Sequence, residues 1–351
     1  DVADLDYLLE NVAIATVADV MDLTEENRIL VKQGLEMLKR TSNLGLRALI
    51  QCIGLEGKKI QTYHIGFILA PCLNASGKLD TAKRALALLR AKTEREADML
   101  AGDLKALNES RRDMTDRVVD EAMAKVEQTD IRGDKVLVIY LPDCHESLAG
   151  LVAGRVRENY YRPVFVLTDS EDGVKGSGRS IESYSMYEEL TGCGDLLTKF
   201  GGHPMAAGLS LDKENVEKFK RRLNDQCTLS EEELTEKVVI DMELPFAAIT
   251  EHFIEELEYM EPFGKGNTKP VFAARGVVMQ HVKIIGKNKN VAKATAIDVA
   301  GNRMEAICFH DAQEFAERCE RNNGKMSITF YPGINEFRGE RKIQIVITHY
   351  R

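Results

Sequence analysis

Four short strings in this sequence hold residues able to grip a phosphate or a cation. TKFGGHPMAAGL (198–209) sets Gly201 and Gly202 directly before His203. Adjacent glycines let backbone approach a ligand, amides aimed from a helix start hold phosphate, and the histidine would stand beside that anion. A bare Gly-Gly-His also makes a tight turn with a capping histidine. In KGSGRSI (175–181) small residues surround Arg179, whose guanidinium could fork onto a phosphate or carboxylate or remain in solvent. PCLNASGKL (71–79) gathers Asn74, Gly77 and Lys78 in a small polar loop, and ATVADVMDL (15–23) places Asp19 within an apolar run. A carboxylate there is a helix cap or a metal ligand.

The elements that must position these residues fall into successive blocks. The first eighty residues read as helix and loop: apolar positions 29, 30, 31, 35 and 38 make a helical face over 27–40, and Pro71 and Gly77 break 63–80 into a loop. Residues 81–128 hold no proline and one glycine, Gly102, with apolar residues in steps of three and four. That spacing predicts one long helix, or two in line, about 70 Å in length and serving as a spacer. From 135 to 228 strand and helix alternate: strands at 135–141 and 163–169, helices at 147–159, 187–198 and 213–227, with GGHPMAAG as a loop before the last. A strand at 238–244 and a helix at 247–260 follow. Strands at 271–285, 291–299, 303–309, 326–335 and 340–349, with a helix at 311–320, then make an OB-like barrel pattern. The expected fold class is therefore α/β and β, in blocks 1–80, 81–128, 129–230 and 231–351.

Composition narrows the function classes. The net charge is −9, yet residues 271–351 carry 13 Lys and Arg against 8 Asp and Glu, so an acidic body bears a basic terminal block. A polyanion would meet a local patch there, although small β-domains are also mildly basic without binding anything. Lys283, Lys287, Lys289 and Lys293 lie within eleven residues around one turn, and Arg338, Arg341 and Lys342 flank the last, with Tyr331 and Phe337 near enough to offer stacking faces. A solubilising hairpin would have the same composition. Seven cysteines without a Cys-x-x-Cys fit neither a disulfide framework nor a structural zinc site, and read as reduced thiols of a cytoplasmic protein. No apolar run reaches the roughly 18–20 residues of a membrane span, which predicts a soluble protein. The chain opens on Asp1, without a secretory leader.

In order and spacing the four strings resemble the RecJ family, single-strand-specific 5′-to-3′ DNA exonucleases of the DHH phosphoesterase superfamily. ATVADVMDL resembles that family's fourth motif, which implies a metal-binding role for Asp19. LAPCLNASGKLDTA resembles the loop closing the DHH domain, with Lys78 where arginine is more usual, and implies substrate contact by Asn74 and Lys78. Residues 145–167 resemble the start of the DHH-associated domain, and GSGRS and GGHPMAAG its two substrate-facing motifs. EPFGKGNTKPVF (261–272) resembles the entry into the OB domain and separates this family from smaller DHH phosphoesterases.

The resemblance implies a two-metal Mn²⁺ or Mg²⁺ site, Arg179 and Ser180 on DNA phosphate with Gly201 and Gly202 alongside, and His203 donating at the scissile phosphate. It also implies a basic OB patch of Lys283, Lys287, Lys289 and Lys293, single-stranded DNA as partner, and a helicase or single-strand-binding protein beside it. The family's aspartate pair and Asp-His-His are absent, since no two of the seven histidines are adjacent. The chain is thus expected to be an incomplete, inactive part of the enzyme. A non-catalytic single-strand-binding module, or a phosphodiesterase of small oligonucleotides, are the alternatives, and an OB domain argues against the latter.

Overall fold

The computed structural model describes residues 8–79, 82–286, 288–309, 312–321, 323–337 and 339–351. They fold as two compact units: Asp1–Thr41, Gly57–Phe67 and Val238–Arg351 in one, Ser42–Glu56 and Ile68–Lys237 in the other. Among the described residues no helix is long and apolar enough to cross a membrane.

The first unit opens with α1 (Leu9–Ala18) and α2 (Glu25–Leu38). They pack closely enough that a Cβ at Gly34 would lie 2.4 Å from that of Ala13. The short α4 (Thr62–His64) belongs to this unit too. The strand expected near 240 shrinks to the two residues of β6 (Met242–Glu243), and α11 covers Glu251–Glu258, both shorter than the sequence pattern suggests. Then come β7 (Phe272–Ile285), β8 (Val291–Ile297), β9 (Arg303–Cys308), α12 (Ala312–Arg321), β10 (Lys325–Phe337) and β11 (Glu340–Tyr350). The order β7-β8-β9-β11-β10, closed by β10 on β7 and with β9 parallel to β11, is the OB barrel. Its interior follows from alternation. Ala292, Ala294 and Ala296 of β8 all point inward, and their small side chains leave room for the fully buried Phe315 and Phe330. Each such phenylalanine contributes roughly 1.5–3 kcal/mol by leaving water.

In the second unit α3 (Leu44–Cys52), α5 (Ala70–Leu79), α6 (Lys83–Leu89) and α7 (Glu94–Gln128) precede a mixed sheet. Of residues 63–80, expected as a loop, 63–79 are helical. Pro71, which has no amide to donate, comes just after the wider π turn Ile65–Leu69, the kind of local irregularity at which a helix accommodates a proline. The long helical stretch is broken before α7 because the Thr93 side chain accepts from the Glu96 amide, a helix start that apolar spacing does not reveal. The 35-residue α7 is about 50 Å long, and it packs on α3, α5 and α8 rather than standing as a bare spacer.

The sheet comprises β1 (Leu137–Tyr140), β2 (Val164–Ser170), β3 (Gly173–Arg179), β4 (Leu197–His203) and β5 (Ala206–Leu211), in the order β1-β2-β3-β5-β4. α8 (Glu146–Tyr160) connects β1 to its parallel neighbour β2. α9 (Met186–Thr191) and α10 (Val216–Gln226) cover one face through Phe219, Leu223, Met186 and Leu190 against Phe165, Leu167, Val174 and Leu209. On the other face α7 and α8 bury Leu137, Ile139, Val164 and Val166 of β1 and β2. α8 also reaches over part of β3, and beyond it, across β5 and β4, that second face stays open.

The helix expected at 187–198 stops at Thr191, and three stretches expected as loop or helix are strands instead. Glycine hides them, and the core requires it. A Cβ at Gly176 would come within 2.5 Å of Leu167, and one at Gly178 within 2.7 Å of Phe165 and Met186.

Candidate nucleic-acid interface

The open face of β3, β5 and β4 carries three aligned rows. Strand registers pair Lys175 with Ser210 and Ser210 with Lys199, then Ser177 with Gly208 and Gly208 with Gly201, then Arg179 with Ala206 and Ala206 with His203. Side chains two apart on a strand share a face, so two cationic rows flank a middle row of Ser-Gly-Gly. The chain therefore brings Arg179 and His203 together on the two outer strands, about 10 Å apart at a strand spacing of ~4.8 Å.

Arg179 is set from both sides. Its Nη1 donates to the Gly178 carbonyl at 2.8 Å, and its guanidinium lies over Gly150 of α8, where a Cβ would stand 2.7 Å from Nη2. Burial, and then the nearby Arg157 guanidinium, weaken its hold on its proton relative to an ordinary arginine. Arg157 reaches the Ser180 carbonyl at 3.4 Å and Glu158 at 3.3 Å, while its buried Nε has no partner. Among the described residues no carboxylate pairs with Arg179. Two nearby guanidinium groups, of which only Arg157 has a carboxylate partner, the exposed Glu158, favour an incoming anion. Neither Arg157 nor Gly150 stands out in the sequence: both lie in an ordinary helix, and packing of α8 on β3 is what brings them here.

Several expectations need correction. Ser180 cannot grip phosphate: it is fully buried and its hydroxyl donates to the Tyr184 carbonyl at 2.5 Å. The serine of this strand on the open face is Ser177. Gly201, Gly202 and His203 end a strand and enter a hairpin, not a helix start, so the phosphate reading through helix amides fails. Gly202 is fixed by its backbone, with φ of 153° and a would-be Cβ 2.4 Å from the Ala206 carbonyl oxygen. His203 is exposed, and its ring meets no hydrogen-bond partner among the described residues. Asn74 is exposed on α5; the Lys78 side chain lies outside the described residues.

In the barrel, Lys283 sits opposite Lys293 on β7 and β8, and Lys289 occupies the turn between them with φ of 52°. Lys287 lies outside the described residues. Lys293 is paired with Glu305 at 2.8 Å, Lys342 with Glu340 at 2.9 Å and Arg341 with Glu251 at 3.5 Å, so carboxylates stand among the lysines and arginines of the expected basic patch. Arg338 and the side chain of Phe337 are also outside the described residues. Tyr331 is half-buried between Phe263 and Lys269, and burial pushes its hydroxyl up to about 12.

With this geometry in place, comparison with known proteins is decisive. Residues 240–349 match the RecJ OB domain and residues 133–229 the DHHA1 domain. The chain is 36% identical over 346 residues to the single-stranded-DNA-specific exonuclease RecJ of Bacillus subtilis, covering 97% of this chain and 44% of that protein. It is 33% identical to the same enzyme of Salmonella typhimurium, covering 98% of this chain and 61% of that one. The chain belongs to the RecJ family. A crystal structure of RecJ from Thermus thermophilus in complex with Mg²⁺ superimposes with a TM-score of 0.81 at 25% identity, over 99% of this chain and 52% of that one. The chain spans about half the length of the curated relatives it matches.

The RecJ resemblance of EPFGKGN acquires a structural reason within the first unit. Arg28 donates to the Met260 carbonyl at 2.9 Å, the Leu23 amide to the Lys265 carbonyl at 2.6 Å and the Thr62 hydroxyl to the Phe263 carbonyl at 2.6 Å. Asn267 closes the loop onto Met260 and Pro262, and a Cβ at Gly264 would strike Leu23 at 2.6 Å. The string is a clasp that fastens α2 and α4 to the barrel.

Asp19 is exposed at the C-cap of α1, followed by Val20 in the left-handed region at φ of 55°. A carboxylate is disfavoured at a helix C-terminus and a β-branched residue is strained there, so folding gains nothing from either. Among the described residues no three His, Cys, Asp or Glu side chains gather as metal ligands. Asp19 could supply one oxygen of a divalent cation's shell, and the described residues do not by themselves make up that site.

Proposed function

We propose that this chain is the substrate-gripping part of a metal-dependent exonuclease that degrades single-stranded DNA from the 5′ end in repair and recombination. The observation that carries the reading is the open sheet face with Arg179 and His203 at one end, an arginine and a histidine with no carboxylate partner among the described residues. Arg179, with Arg157 behind it and Ser177 beside it, binds a backbone phosphate. His203 donates to phosphate oxygens as charge grows on them in cleavage. A flat backbone floor takes an extended strand by shape and charge, without reading bases.

Asp19 is assigned to a Mn²⁺ or Mg²⁺ ion, as one ligand of a set completed by residues this chain does not hold. The RecJ structures with Mg²⁺ and with Mn²⁺ support that choice of metal. Asn74 and Lys78 are assigned to substrate, and Lys283, Lys287 and Lys289 to the path of the strand over the barrel. The blocks 1–80, 81–128, 129–230 and 231–351 are assigned as its inherited modules, a helicase or single-strand-binding protein as its companion, and the cytoplasm as its compartment.

Kinetics of the complete enzyme test the assignment. Arg179→Ala should act largely through apparent affinity, whereas His203→Ala should lower the maximal rate by about 10²–10³. Asp19→Ala should abolish cleavage and spare DNA binding. Wild-type kinetics in all three would sink the reading. The 351 residues alone should bind a 5′-labelled single strand yet release no mononucleotide with Mn²⁺.

A further inference from the structure

Beyond Arg179 and His203 the same sheet face runs on into a hollow of about 480 Å³, lined by Lys175, Ser177, Lys199, Gly201, Gly208 and Ser210 and walled by the start of α8. We propose that this hollow is a second phosphate subsite, which holds the sugar–phosphate backbone of the same strand more than one phosphate step away from Arg179. The inference rests on the strand-binding reading above and extends it along the sheet.

Charge places the anion. Lys199 is exposed and has no carboxylate partner among the described residues, while Lys175 across the row is held by Glu146 at 2.7 Å. An exposed pair of that kind is weakly held, so a phosphate arriving between the two strands can draw Lys175 away from Glu146. Four residues along a strand separate this row from Arg179 and His203, which is about 13 Å at ~3.3 Å per residue.

The floor between the rows points the same way. Gly176, Gly178 and Gly202 are required by what surrounds them, but Gly201 and Gly208 are not. A Cβ at Gly201 would meet nothing within 4 Å, one at Gly208 would meet only the Gly176 carbonyl oxygen at 3.9 Å, and neither has positive φ. Packing would tolerate side chains at both positions, whereas an occupant lying on the backbone would not.

The test is binding of fluorescent, 5′-phosphorylated thymidylate dinucleotide and hexanucleotide to this chain, across a salt series. Lys199→Ala should weaken the hexanucleotide several-fold, leave the dinucleotide unchanged and flatten the log–log salt slope by about 0.7, the value for one phosphate of a single strand. Gly208→Val should also weaken the hexanucleotide, with a melting temperature no lower than wild type. Arg179→Ala should weaken both ligands. If Lys199→Ala and Gly208→Val bind the hexanucleotide as wild type does while Arg179→Ala loses affinity, the subsite is refuted and the strand-binding reading stands. If Arg179→Ala is silent as well, both fall. A Lys199 effect that is equal for thymidine monophosphate and hexanucleotide would assign the hollow to free nucleotide and overturn the proposal.

Discussion

Substituting Gly150 by alanine should strengthen the fold and weaken DNA binding together. Gly150 lies inside α8, where Gly→Ala ordinarily stabilises by about 0.8–1 kcal/mol because glycine loses more backbone freedom. The added Cβ would stand 2.7, 3.2 and 3.4 Å from Nη2, Cζ and Nη1 of Arg179, closer than the ~3.5–4 Å of a relaxed contact. The guanidinium is the free end of a flexible side chain, so it moves and the helix does not. A withdrawal of about 1 Å takes it out of register with Ser177 and His203, and a lost charge-assisted hydrogen bond costs about 1.5–3 kcal/mol. That corresponds to roughly a 10- to 100-fold loss in affinity for a 5′-phosphorylated single strand. Gly154→Ala, one turn along the same helix, meets nothing within 4 Å and supplies the control: the same gain in stability with affinity unchanged. Thermal melting and fluorescence anisotropy on the two variants are the assay. If both variants gain stability and both keep wild-type affinity while Arg179→Ala loses it, Arg179 reaches phosphate from another orientation, and its placement by Gly150 is wrong.

Gly202→Ala should destabilise the second unit by roughly 1–3 kcal/mol or more, because its φ of 153° excludes a side chain and the β4–β5 hairpin would have to open; chemical denaturation with wild-type stability would refute this. Asp298 supplies a pH signature in the barrel. Burial alone would raise its carboxyl, but hydrogen bonds from Asn302, Ala300 and Phe246 outweigh burial and hold it below the usual aspartate value. Its stabilisation is therefore complete above the unfolded aspartate value of about 3.9 and is lost as pH falls through the folded one. Asp298→Asn should flatten the fall in stability of the barrel below about pH 4, measured by urea unfolding, and an unchanged acid limb would count against the loop's role.

The barrel was legible because its strands obey the local rule. Residues 291–297 alternate small apolar with larger or polar side chains, and the structure buries Ala292, Ala294 and Ala296 as that period demands. The resemblance of the four strings likewise survives any uncertainty about elements, since motif order needs no fold. The sheet of the second unit was not legible, and the reason is physical. Gly176 and Gly178 look like loop residues until Leu167, Phe165 and Met186, brought from other elements, are seen to occupy the space their side chains would need. Once β3 is a strand, its two-residue period sends Ser177 to the open face, while Ser180, just past the strand's end, is buried against the Tyr184 carbonyl, neither of which the string GSGRS reveals. Arg157 and Gly150 enter the site only because α8 packs across β3, and helical periodicity can nominate a buried face without naming the strand it will cover. Residue types and their order thus determined which chemistry this chain can offer a phosphate. Tertiary packing decided which atoms face it, because a side chain's direction is set by the neighbour across the sheet and not by the neighbour in the chain.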